Sequence, residues 1–363
     1  MQMVDLVTQY QELQPEMDAA IQRVLDSGYF IMGPELKALE DEVAAFLDVE
    51  HAVGCASGTD ALQIALMAHD IGPGDEVITT AFTFVATVEV IALLGATPVY
   101  VDIDPDSYTL DPEAVEAAIT ENTRAILPVH LFGQCARTEA LTEIAERHNL
   151  VVIEDTAQAI GATRHGGYAG TFGDVGCISF FPSKNLGAYG DGGMMVTRNG
   201  ELAEKLRMIS KHGSRVKYQH ETLGVNSRLD ALQAAILRVK LPHLEDWNGR
   251  RRQIAAHYRT GIQASEVTLP RTLDGNTHVY HQFSIQVPDR DDLRSALQDR
   301  GIPTAIHYPI PLHQQPAFRE IGRNLGLAVS EQVAAHIISL PIYPEMPPAD
   351  RETVIDAINT YYS

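Results

Sequence analysis

The chain has 363 residues, 45% hydrophobic and 21% charged, which excludes disordered and fibrous classes and allows a large core with a second, smaller domain. Lysine and arginine number 27 against 48 aspartates and glutamates, a formal charge of -21, which excludes tracking of a nucleic-acid backbone but not a small anion held in a cleft. Cys55, Cys135 and Cys177 are far apart with no CxxC pattern, so neither a disulfide framework nor a zinc knuckle is suggested and a reducing cytoplasm is expected; no segment reads as an export signal or membrane span.

From residue 40 to about 210, apolar runs rich in β-branched residues alternate with helix-period segments. Strands are expected over 51–55, 76–79, 97–101, 125–129, 151–154, 176–180 and 193–197, with helices over 58–69, 83–94, 111–119 and 138–148 between them. Asp111-Pro112 is a cap followed by a proline at the first helical position. This alternation predicts α/β architecture with a mainly parallel sheet covered by helices. Residues 229–241 read as a further helix and 247–262 as a long charged one. From residue 280 the pattern becomes a strand (282–287), a helix (291–300), a Pro-rich turn region (307–316) and a last helix (348–361). We therefore expect a large domain over 1–245 and a small α+β domain over 246–363.

Three segments carry candidate chemistry. The first runs from a short strand through Ser57, Gly58 and Thr59 into a helix with Leu62, Ala65 and Leu66 on one face. Free amides at a helix start, two hydroxyls and an unhindered glycine make an anion cup, although a capped α/β turn would read the same way. Neither GxGxxG nor a Walker A loop is present, so a dinucleotide or NTP is not the expected occupant. The second is Val151-Val-Ile-Glu154-Asp155, a buried-strand run ending in two carboxylates, of which Asp155, beyond the apolar run, is the better candidate for the cleft. The third delivers Lys184 at the end of an apolar strand, just after Pro182. Burial disfavours a lysine's charge and frees its amine as a nucleophile toward a carbonyl. A phosphate cup, a strand-end Asp and a strand-end Lys are together what pyridoxal phosphate needs: an anchor, a ring-nitrogen partner and an aldehyde partner.

Ser57-Gly58-Thr59-Asp60-Ala61-Leu62, Glu154-Asp155-Thr156-Ala157-Gln158, Ser179-Phe-Phe-Pro-Ser-Lys184 and Gly224-Val-Asn226-Ser-Arg228-Leu-Asp230 resemble, in order, the motifs of the DegT sugar-nucleotide aminotransferases. The resemblance extends from Val4-Asp5-Leu6 to His307-Tyr-Pro-Ile-Pro311. It implies an aspartate-aminotransferase-like fold of type I, with 1–245 as the cofactor-binding domain, and pyridoxal 5'-phosphate as cofactor, carried as pyridoxamine phosphate between half-reactions.

The resemblance also implies roles. Lys184 would bond the cofactor aldehyde and, once freed, move a proton as base, while Asp155 would keep the pyridine nitrogen protonated. Gln158 would reach the phenolic oxygen, Gly58, Thr59 and Ser179 the phosphate, and Phe84 the ring face, leaving Phe82 to the core. Asn226 would reach the phosphate of a neighbouring subunit, implying a homodimer with shared sites. On the substrate side, His307 and Tyr308 match positions that contact the sugar nucleotide, and Arg228 could pair with its phosphates or a carboxylate. Gly190-Asp191 after the lysine motif looks like the group that aminates C3 rather than C4. The implied reaction is transfer of the glutamate amine to a UDP-linked 3-keto sugar of the 2-acetamido-2-deoxy-3-oxo-glucuronate type, for a surface polysaccharide such as O-antigen. Alternatives are C3 amination of a dTDP-3-keto-6-deoxyhexose, C4 amination of a 4-keto sugar, and a non-catalytic regulatory homologue. A related dehydratase carries a histidine where this chain has Lys184.

Other features are weaker. Tyr29 and Phe30 could wall a nucleotide pocket. Asp102-Ile-Asp104 imitates a metal motif but sits at a strand end before Pro105 and reads as a turn, and His278-Val-Tyr-His281 is a poor metal signal, so no metal is expected.

Overall fold

The computed structural model describes residues Met1–Ser363. Three helices, α1 (Leu6–Glu12), α2 (Gln14–Ser27) and α3 (Pro34–Leu47), precede the sheet. The alternating region follows as β1 (His51–Cys55), α4 (Gly58–Ala68), β2 (Glu76–Thr80), α5 (Ala86–Leu93), β3 (Thr97–Val101), α6 (Pro112–Ala118), β4 (Thr123–Ile126), α7 (Thr138–His148) and β5 (Val151–Asp155). Then come β6 (Val175–Ser179), β7 (Gly193–Thr197) and α8 (Gly200–Ile209).

The main sheet has the order β1-β7-β6-β5-β4-β2-β3, extended beside β3 by the short strand Arg323–Asn324. Pairings among β2, β3, β4, β5 and β6 are parallel, while β7 runs antiparallel to both β1 and β6. This reversal places the start of β7 at the carboxyl ends of its neighbours: Gly193 lies opposite both Cys55 and Ser179. The loops after β1, β2, β5 and β6 and the loop into β7 therefore meet at one edge, where open α/β sheets bind ligands.

Both faces of the sheet are covered, which is why its strands read as continuous apolar runs. Val175 and Cys177 face a core shared with α4 and α8, whereas Ile178 and Phe180 face one shared with α3 and α9 (Ala231–Lys240). A further core joins α10 (Leu244–Gly261), β8 (Phe283–Gln286), α11 (Arg290–Asp299), β9 (Ile337–Leu340) and α13 (Pro348–Tyr361), through Tyr258, Phe283, Leu297 and Ile358 among others. Strands β8 and β9 pair antiparallel. Within α10, Leu244 packs into the α3–α9 core while Ile254 and Tyr258 belong to the latter one.

Several boundaries differ from expectation. The fourth strand stops at Ile126 because Pro128 has no N–H for a ladder. The helix expected from residue 83 starts at Ala86, leaving Thr83 and Phe84 in the preceding loop. The structure also has elements beyond those expected: α1 to α3, α8 with its Asn199 cap, the hairpin Ser214–Val216/Gln219–His220, and α12 (Ala328–His336). Asp102 caps α12, accepting from the amides of Val329 and Ser330, and Asp104 closes the turn that follows β3 through the amides of Asp106 and Ser107. No helix is long and apolar enough to cross a membrane.

Candidate active site

A cavity of about 340 Å³ opens at the sheet edge just described. Nine of the eleven expected site residues line it: Gly58, Thr59, Phe84, Asp155, Gln158, Ser179, Lys184, His307 and Tyr308. Asn226 and Arg228 do not. Asn226 is exposed on a loop bridged to Lys211, and Arg228 is half-buried. Of the lysines and arginines only Lys184 stands on this chain's own wall, where the carboxylates of Asp155 and Asp191 join it. Tyr29 and Phe30 are also outside the wall: both are exposed, and the Phe30 carbonyl accepts from the first amide of α9.

The cup at β1–α4 follows from local sequence. Ser57 caps α4, its hydroxyl accepting from the Asp60 amide, and its carbonyl takes the amide of Ala61. The helix start lies against the end of β6 so closely that a Cβ at Gly58 would come within 2.6 Å of Ser179 Cβ. Only glycine permits that approach, which puts the first helical amides beside the Ser179 hydroxyl, a suitable seat for a phosphate.

Asp155 closes β5. Its Oδ2 accepts from Thr87 Oγ1 at 2.8 Å and its Oδ1 from the Ala157 amide at 3.1 Å. Burial raises its pKa, opposed by those hydrogen bonds and by the charge of Lys184. A cationic ring N–H placed against this carboxylate would relieve that penalty. The adjacent Glu154 takes the other side of the sheet end, where the amides of Gly170, Phe172 and Gly173 and the His130 Nε2 bind it. His130 Nδ1 accepts from the Ala136 amide, so its Nε2 is the N–H that donates to Glu154.

Lys184 sits in the turn after β6, with its amide donating to the Phe181 carbonyl at 2.8 Å. Burial lowers its pKa from 10.5 to about 8, with Asp155 acting in the opposite direction. An amine of this kind reaches its nucleophilic form near neutral pH.

The remaining wall is aromatic and amide. Phe84 is half-exposed, its ring 6.2 Å from that of Tyr308, while Phe82 is fully buried in the core. Gln158 Oε1 accepts from the Phe132 amide at 2.7 Å, leaving its Nε2 to donate, at 3.2 Å to Tyr308 Oη. His307 Nδ1 lies 2.9 Å from Ser339 Oγ, and burial lowers its pKa to about 4.

The set fits pyridoxal phosphate, having an amine for its aldehyde, a carboxylate for its ring nitrogen, a helix start for its phosphate and an aromatic face. Four residues of this region carry no site role in the sequence, His281 being read there only as part of a poor metal pattern. Thr87 binds Asp155, Asp60 accepts from Ser227 Oγ at 2.6 Å and ties the 224–230 loop to α4, and His281 and Gln282 line the cavity from the segment before β8.

Residues 11–359 match the model of the DegT/DnrJ/EryC1/StrS aminotransferase family. A "Pleiotropic regulatory protein" of Geobacillus stearothermophilus is 50% identical, covering 99% of this chain and 98% of its own. The dTDP-3-amino-3,4,6-trideoxy-alpha-D-glucose transaminase of Streptomyces venezuelae is 49% identical (99% and 95%), and the UDP-2-acetamido-2-deoxy-3-oxo-D-glucuronate aminotransferase of Pseudomonas aeruginosa 46% (98% and 98%). Among solved structures, that of S. venezuelae DesV with a ketimine intermediate superposes with a TM-score of 0.97, at 48% identity over 100% of this chain and 98% of that one. The chain belongs to this aminotransferase family and has its type I fold.

Proposed function

We propose that this sugar-nucleotide aminotransferase moves the amine of L-glutamate onto C3 of a UDP-linked 3-keto-hexose, of the 2-acetamido-2-deoxy-3-oxo-glucuronate type, in the cytoplasm and in supply of a surface polysaccharide such as O-antigen. The observation that carries the reading is the meeting, in one cavity, of the Lys184 amine, the Asp155 carboxylate and the start of α4. The transaminase from S. venezuelae is named for a 3-amino sugar and the P. aeruginosa enzyme for a 3-oxo sugar, which supports C3.

Glutamate gives up its amine and leaves as 2-oxoglutarate; the keto oxygen of the sugar is then replaced by that amine. Pyridoxal 5'-phosphate, when bound here, would supply the carrier for the amine and an electron sink for ionisation of the C–H bond beside nitrogen. Lys184, in the neutral form that its lowered pKa favours, takes that proton and returns it on the far side of the transfer. Asp155 holds a positive ring nitrogen, Gly58, Thr59 and Ser179 hold the phosphate, and Phe84 covers the ring. Gln158, its Oε1 committed to Phe132, presents Nε2 as a donor, and the hydrogen not given to Tyr308 is available to an oxygen. His307 and Tyr308 border the sugar, whereas Arg228 lies outside this cavity.

Asn226 serves the site of a second copy, so the working unit is a homodimer. Its exposure on a loop outside its own cavity supports this.

The test is a panel of UDP- and dTDP-linked 3-keto and 4-keto sugars incubated with glutamate. Amination of the UDP-linked 3-keto sugars is expected; amination confined to 4-keto substrates overturns the C3 assignment. Preference for dTDP-linked substrates would favour the second reading, C3 amination of a dTDP-3-keto-6-deoxyhexose, which the 49% identical transaminase supports. A regulatory, non-catalytic role would leave every sugar untouched.

A further inference from the structure

One histidine on the cavity wall, His281, is left without a role by the chemistry above. It is 7% exposed and shares the wall with Lys184, Gln282 and His307. Its Nδ1 lies 3.2 Å from Oδ1 of Asn185, the residue after Lys184. Which of the two atoms supplies the hydrogen is decided further along the chain of contacts.

Asn248 Nδ2 donates to the Ile160 carbonyl at 3.2 Å, which makes its other atom the oxygen that accepts from Asn185 Nδ2 at 2.7 Å. That Asn185 nitrogen also donates to the Val279 carbonyl at 3.1 Å. Main-chain carbonyls only accept, so both amides have one orientation. Asn185 Oδ1 is then an acceptor and His281 Nδ1 must be the N–H. Burial, together with the positive charges of Lys184 and Arg251, drives the pKa of His281 well below the ordinary histidine value. The ring is neutral, and Nε2 carries a lone pair. Its one protein contact is the Gln282 amide nitrogen at 3.4 Å, the long limit of a hydrogen bond.

We propose that His281 Nε2 is a specificity-determining acceptor for a hydroxyl of the keto-hexose bound beside Lys184, its tautomer locked by the Ile160–Asn248–Asn185 chain. The proposal rests on the aminotransferase reading. A hydroxyl satisfies this nitrogen, whereas a carboxylate brings a second lone pair against it. If the sugar is a uronate, its acid group is directed elsewhere, and a ring hydroxyl faces His281. Sites built around a buried polar acceptor reject analogues that lack the donor, because the acceptor is then left unpaired.

The test compares the wild-type holoenzyme with His281→Asn and His281→Gln. The asparagine amide can replace Nδ1 toward Asn185 but leaves nothing at the place of Nε2, while the glutamine amide reaches that place. For His281→Asn, the KM of the keto sugar should rise about tenfold with a smaller change in kcat. Equilibrium binding of the UDP-linked 3-amino sugar, measured by calorimetry, should weaken by a similar factor, and His281→Gln should recover part of it. In the wild type, a substrate lacking the relevant hydroxyl should lose the same factor. Unchanged product affinity in His281→Asn overturns the proposal. So does a fall in kcat at constant KM and affinity, which is the signature of a residue acting on Lys184 through Asn185. Failure of the aminotransferase reading would show separately, as wild-type holoenzyme that neither binds the amino sugar nor transfers the amine.

Discussion

At the scale of single residues, Lys184 and Asp155 define the site through opposite responses to the same burial. The amine is pushed toward its neutral form and the carboxylate toward its protonated one, and each is the other's partial remedy. The neutral amine is the form that attacks an aldehyde, and its fraction rises with pH through the lysine pKa. In cofactor-depleted protein, the rate of pyridoxal phosphate uptake at Lys184 is therefore expected to climb with pH up to about 8 and then level off. An ordinary lysine would keep climbing toward 10.5, and stopped-flow absorbance separates the two outcomes. Both residues are legible in the sequence because a charged side chain at the end of an apolar strand is an anomaly wherever it occurs. Thr87 and His281 are not, since a threonine near a helix start and a histidine beside a strand are unremarkable until the fold brings them to partners 68 and 96 residues away.

At the scale of elements, the site depends on how strand ends are fixed. Glu154 is the clearest case: fully buried, it gathers three amides of the 170–173 segment and the His130 ring, holding the end of β5 from behind while Asp155 faces the cavity. Replacing it by glutamine turns one accepting oxygen into an NH2 that faces donors. Glu154→Gln should thus cost about 2–4 kcal/mol in urea unfolding, whereas an exposed carboxylate such as Glu146 changed the same way should cost about 0.5 kcal/mol or less. The alternation of β-branched runs and helical periods made most of the sheet readable, because strands buried on both faces are apolar throughout. Boundaries failed where two patterns overlapped: the apolar run after β2 extends the helix signal to residue 83, but Thr83 and Phe84 stay in the loop at the cavity. The helices before β1, and α12 just before β9, carried no chemistry-bearing residue to draw attention to them.

At the scale of the whole molecule, the acidic envelope and the site are different electrostatic objects. A charge of -21 describes the surface, while the cavity offers an anion the helix-start amides and one amine. The exposed loop carrying Asn226 makes a shared site testable. Asn226→Ala and Lys184→Ala chains, each inactive alone, should regain roughly a quarter of wild-type activity after random mixing, since one site of each heterodimer then has both residues intact. No recovery would mean that Asn226 does not serve a neighbouring subunit. The most direct measurement of the central claim is the visible absorbance of the purified protein with pyridoxal phosphate. The wild type should be yellow and bleach when glutamate is added without a keto sugar, and Lys184→Ala should show neither the bound colour nor the bleaching. A wild type that takes up the cofactor without the colour of a covalent bond, or whose colour is indifferent to glutamate, would contradict the assignment of Lys184 as the amine at which transamination begins.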